Sequence, residues 1–238
     1  MPERFGLYIE PFVGMGAVYL QLRESGYTGL AILADAHTCV SAFWRLIHDS
    51  QGSNELVRAC CALRNASSVE DFYSAAKQVP TNLVDRVALF LWLTNYSFGN
   101  RAPGMRGDRW YLQGCRISSG KMTPWNKICE RIEKLAQKAR KWHAEVFDAA
   151  ECAIVMSYDN SVIYADPPYY DTSKYQSTCD NLMRMLDSAK GTVILSEMSD
   201  FPCSWPSVEI SMTASLSQGV GANGKREERI FVKPQSML

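Results

Sequence analysis

Leu7 to Glu10 is a short apolar run that enters the turn Pro11-Phe12-Val13-Gly14-Met15-Gly16, and from Ala17 to Glu24 apolar residues recur at helical spacing. The pattern predicts strand, glycine turn, helix. After Gly26 the run Leu30-Ala31-Ile32-Leu33-Ala34 ends in Asp35 as a second buried strand, and Val40, Phe43, Trp44 and Ile47 mark a following helix. This β-α-β-α opening is the unit of a parallel sheet. Residues 52–98 read as helical throughout, with Pro80 opening a strongly apolar segment as a first-turn proline can. Gly99 to Thr123, with five glycines and a proline among arginines, predicts a long loop, and a basic helix is expected from about Pro124 to Val146. The sheet pattern returns at Ser161–Asp166 and Thr192–Ser196, with a helix near 176–189 between them. Val208–Met212 and Arg229–Lys233 are candidates for a terminal antiparallel hairpin.

The expected architecture is therefore α/β: one doubly wound, Rossmann-like sheet with a mostly helical insertion and a C-terminal antiparallel hairpin. The expected division is 1–52 with 148–238 as the sheet domain and 53–147 as the insertion. Hydrophobic residues at 47% and charged ones at 21% are ordinary globular usage and exclude global disorder. No apolar run reaches the length of a membrane helix, and the N-terminus lacks the apolar core of a signal peptide, so a cytoplasmic protein without membrane attachment is expected. Eight cysteines without a C-x-x-C pair, beside three scattered histidines, predict reduced thiols and no metal site.

Net charge is zero, but its distribution is uneven. Between Arg101 and Lys141 stand eleven Lys/Arg against three Asp/Glu, a local balance of +8, so the remainder carries −8. On charge alone, a nucleic-acid face and an ordinary solvated helical surface fit equally well.

The chemistry-bearing string is Asp166-Pro167-Pro168-Tyr169, directly after a hydrophobic strand. Open α/β sheets bind ligands at that end of a strand. An exocyclic amine on a base is a poor nucleophile because its lone pair is delocalised into the ring. A carboxylate (Asp166) and a backbone carbonyl (Pro167) can each accept one amine hydrogen, two prolines stiffen the loop, and Tyr169 offers a flat face for stacking. The plain alternatives are that the prolines merely end the strand and the aspartate caps a helix. Glu10 to Gly16 puts glycines where strand meets helix, permitting close approach of a ligand. Asp35, about twenty positions further on, suits ribose hydroxyls, and a helix cap equally.

Glu-Pro-Phe-Val-Gly-Met-Gly-Ala-Val (10–18), Leu-Ala-Asp (33–35) and Asp-Pro-Pro-Tyr (166–169), in this order, resemble the Dam-like (D12 class, alpha-type) adenine-specific DNA methyltransferases, particularly phage and prophage members. Leu195-Ser196-Glu197 and the segment Ala222 to Val232 add to the likeness. The resemblance implies a site-specific enzyme that moves a methyl group from S-adenosylmethionine to the N6 amine of an adenine flipped out of double-stranded DNA. It implies cofactor contacts at Glu10, Pro11, Phe12, Gly14, Gly16, Asp35 and Asp166, and a catalytic loop of Asp166, Pro167, Pro168 and Tyr169. DNA contacts are expected from Arg101, Arg106, Arg109, Arg116 and Lys121, because the family recognises DNA between its two sheet halves and the basic stretch lies there. A bacterial cytoplasm, with a phage or prophage gene as source, is the implied setting.

The chain departs from the family in beginning six residues before Leu7, where members usually carry a glycine-lysine segment that helps bind the cofactor. Two other readings follow: a catalytically weakened or partner-dependent DNA-binding homologue, as a homodimer or with another chain, and an amino-methyltransferase acting on cytosine or RNA.

Overall fold

The computed structural model describes residues 5–97, 102–106, 109–112, 114–117, 123–148, 158–167, 183–198, 201, 203–212 and 226–233. The chain forms two compact units, 1–36 with 143–238, and 37–142.

The first unit is built on a seven-stranded sheet. Its strands are β1 (Leu7–Glu10), β2 (Leu30–Asp35), β5 (Ala144–Asp148), β6 (Ser161–Ala165), β7 (Thr192–Met198), β8 (Ser207–Met212) and β9 (Arg226–Lys233), in the order β5-β2-β1-β6-β7-β9-β8. The first five run parallel, and β9 and β8 close the edge antiparallel, as the predicted hairpin requires. This is a Rossmann-like sheet. The helix α1 (Ala17–Glu24) joins β1 to β2.

Residues aligned across neighbouring strands share a face. Ile9, Ile32, Ile163 and Val193 lie in one such row, and with Ala34, Ala165, Leu195, Leu186 and Phe231 they make a buried core. Leu186 comes from the helical stretch 183–188, whose final carbonyls are gathered by Lys233: its ammonium donates to Leu186 O, Asp187 O and Ala189 O. Tyr8 and Glu10 belong to the opposite face.

The expected helix over 124–146 is two elements. α6 (Trp125–Ala139) stops at Arg140, and the chain turns into β5, which pairs with β2 along Ala31 to Asp35. The turn is held from the first unit's own side, because the buried Arg23 guanidinium donates to His143 O, Tyr27 O and Gly29 O. Tyr19 and Tyr27 flank that guanidinium with their ring faces.

In the second unit, α2 (Thr38–His48), α3 (Ser50–Ala62), α4 (Val69–Ala75), α5 (Leu83–Tyr96) and α6 replace the continuous helicity expected over 52–98. Ser68 and Asp71 form a capping box that starts α4, and Asn82, rather than Pro80, starts α5 by accepting from Val84 N and Asp85 N. The expected loop 99–123 contains an antiparallel hairpin, β3 (Gly104–Arg106) and β4 (Arg109–Tyr111). Trp110 anchors it: buried, it packs against Phe90 and donates its indole N–H to Gln78 O at 2.8 Å. Among the described residues no helix is long and apolar enough to cross a membrane.

Candidate active site

In the sheet order, β2 and β5 lie to one side of β1 while β6 and β7 lie to the other. The connection therefore reverses direction between β1 and β6, and the crevice beyond their carboxyl ends is where an open α/β sheet receives its ligand. Glu10 ends β1, Asp166 directly follows β6, and Asp35 ends β2.

The turn after β1 is held by the end of β2. Val13 N donates to Ala34 O at 2.9 Å, and Gly14 N donates to the Asp35 carboxylate at 2.9 Å. Gly14 and Gly16 have φ of 48° and 69°, the left-handed region that side chains with a Cβ disfavour. A Cβ on Gly14 would meet nothing within 4 Å, so the backbone here faces open space. Pro11 and Gly16 are buried, and Phe12 packs on the core, which fixes the turn from beneath. α1 starts at Gly16 without a side-chain cap. Of the two sequence alternatives for Asp35, the helix cap is excluded: α2 is capped by His37, whose Nδ1 accepts from Cys39 N.

Glu10 is only 2% exposed. Its carboxylate accepts from the Tyr8 hydroxyl at 2.7 Å. Burial pushes the Glu10 carboxyl up to about 8; the Tyr8 hydroxyl and the Tyr19 amide work against that rise, and the Asp166 charge adds to it. Burial, and then Glu10, drive the Tyr8 phenol far above its ordinary range, so it stays a donor. Asp166 is exposed and Pro167 is buried. The two carboxylates thus face one another electrostatically across the switch point, one shielded and one in solvent.

Glu10, Pro11, Phe12, Gly14, Gly16, Asp35, Asp166 and Pro167 all fall within the first unit, about the ends of three adjacent strands. Pro168, Tyr169, Arg101 and Lys121 lie outside the described residues, as does the side chain of Arg106. Arg109 is exposed on β4, on the same side as Tyr111, which is 53% exposed. Arg116 directs Nε and Nη2 to Asn95 O at 3.0 and 2.8 Å, holding the end of α5. Sequence reasoning missed Tyr8 and Tyr111. Two-residue alternation was the available signal, since it puts Tyr8 on the Glu10 face and Tyr111 on the Arg109 face. No metal-holding cluster of His, Cys, Asp and Glu occurs among the described residues.

The sequence model of a protein family described as D12 class N6 adenine-specific DNA methyltransferase matches residues 1–208. No curated protein matches the chain.

Proposed function

The chain belongs to the D12 class N6 adenine-specific DNA methyltransferases, and from that membership we propose that it transfers a methyl group from S-adenosylmethionine to the N6 amine of an adenine flipped out of double-stranded DNA. The observation that carries this reading is the meeting of Glu10, the Gly14 turn, Asp35 and Asp166 at one switch point. The donor set fits the cofactor: open space before Gly14 allows close approach, and two acidic side chains suit a ligand bearing a cation and ribose hydroxyls. S-adenosylmethionine supplies an electrophilic methyl on a positively charged sulfur.

The protein's own part is binding and orientation. The Gly14 turn receives the methionine portion, with the buried Glu10 carboxyl at the end of the strand that leads into it. Asp35 remains at the ribose side, already tied to the turn through Gly14 N. The Asp166 carboxylate and the Pro167 carbonyl accept the two amine hydrogens and so draw the nitrogen lone pair out of conjugation. The amine must give up one proton when it is methylated, and the exposed Asp166 carboxylate would be the group to take it. Pro168 and Tyr169 complete the loop by stiffening it and stacking on the base. The unit 37–142, with Arg101, Arg106, Arg109, Arg116 and Lys121, serves DNA recognition, and the bacterial cytoplasm is the working compartment.

Purified protein given labelled S-adenosylmethionine and unmethylated duplex DNA should yield N6-methyladenine after digestion to nucleosides. Asp166→Ala should lower the rate by about a hundredfold or more. Label found in cytosine, RNA or protein alone overturns the assignment.

A further inference from the structure

Three thiols of the second unit have no part in the reaction proposed above. Cys60 and Cys61 sit in the last turn of α3, and Cys129 sits in α6. Trp125 fixes how these helices meet: its indole N–H donates to Cys60 O at 2.8 Å, and its backbone N–H donates to Asn65 Oδ1 at 2.7 Å. Cys129 follows Trp125 by four residues and shares its helix face, so it too is turned towards the end of α3. The thiols of Cys61 and Cys129 lie near enough to act on one another, and Cys60 lies near enough to act on both. Exposure separates the three. Cys60 and Cys129 are buried, whereas Cys61 is open to solvent.

We propose that Cys61 and Cys129 form a reversible dithiol–disulfide site that hydrogen peroxide closes, stapling the end of α3 to α6. An exposed thiol held against a shielded one has what such a site needs, an attacking sulfur that an oxidant reaches and a resolving sulfur beside it. Burial, with Cys61 adding to it, pushes the Cys129 thiol up to about 11, so Cys129 keeps its proton and can donate S–H to the Cys61 sulfur. The Cys61 thiolate attacks one peroxide oxygen and the O–O bond breaks, giving a sulfenic acid and hydroxide. The Cys129 sulfur then displaces the sulfenic hydroxyl, the S–S bond forms, and the Cys129 proton leaves in the water released. Two thiols give up two electrons between them, and with one proton from solvent the peroxide ends as two waters.

Cys60 cannot pair with Cys61, because neighbouring residues in a helix point about 100° apart and their sulfurs cannot bond without unwinding it, and being fully buried it is not the sulfur that the oxidant reaches. Cys61 stands one residue before the end of α3, where the backbone can adjust to bring the two Cα atoms to bonding distance. The bond would close the chain segment 61–129, which includes α5 and the β3–β4 hairpin.

The test is peroxide treatment of the full chain, alkylation of remaining thiols and peptide mapping by mass spectrometry. A linked pair of peptides containing Cys61 and Cys129, lighter by two hydrogens and separated by dithiothreitol, is expected. It should be absent from both Cys61→Ser and Cys129→Ala, and the oxidised wild type should melt several degrees higher. Cys61→Ser changes an exposed side chain, so an unaltered melting curve for the reduced variant shows that folding is intact. Cys61 halting at sulfinic acid, a bond from either sulfur to another cysteine, or both thiols still open to alkylation would overturn the proposal.

Discussion

The turn Pro11–Gly16 and the hairpin Gly104–Tyr111 use similar material, glycines beside apolar or aromatic residues, yet different forces shape them. The turn is written into the backbone: two amides bond the end of β2, and two glycines take left-handed angles. The hairpin has three-residue strands, and among its described residues Trp110 is the buried side chain that holds it. A site that binds a small ligand gains from a preformed backbone, because ordering costs are met in folding and not in binding. The hairpin instead hangs exposed residues, Arg109 and Tyr111, on its anchor, an arrangement that would suit the DNA contact proposed above.

That contrast can be broken first at the anchor. Trp110→Ala should cost about 3–5 kcal/mol of stability in the unit 37–142 and weaken DNA binding, while calorimetry still detects S-adenosylmethionine. Gly14→Val attacks the other region. It should add about 1–3 kcal/mol of backbone strain and abolish detectable cofactor binding, with DNA retention on a filter or gel little changed.

Glu10 gives the contrast a pH dependence. Its folded pKa of about 8 lies above the usual carboxyl value, so the native state holds a proton that the unfolded chain has released. Stability is full below about 4.5 and falls as pH rises through 8, by up to about 1.4 kcal/mol per pH unit. Glu10→Gln should flatten that slope in denaturant titrations at pH 5, 7 and 9, and an unchanged slope would mean the carboxyl is not protonated in the fold. Arg109→Ala is the mildest change: melting stays put, and the salt slope of DNA binding falls by about 1.

The first half of the sheet was legible because its signals are local. Glu10-Pro11 through Gly16 and the run ending at Asp35 state strand, turn and strand within some thirty residues. Asp166 was legible for the same reason, standing at the end of a five-residue apolar strand. What escaped depends on distant partners. β5 has only Val146 and Phe147 as apolar residues beyond its first alanine, and it is a strand because β2 is beside it. The hairpin exists because Trp110 finds Gln78 and Phe90, and neither is a neighbour in sequence. The Tyr8–Glu10 bond was within reach of simple alternation, yet a tyrosine in a buried strand reads first as core.

Arg23 carries a consequence for how the molecule assembles. The residues it grips at 27 and 29 precede β2, while His143 opens β5 after the whole unit 37–142 has been made. Closing a chain over so long an excursion costs about 4 kcal/mol in lost freedom. One cation already bonded to two carbonyls acts as the catch that the returning strand must find with a third, so β5 should be the last strand to join its sheet and the first to leave it.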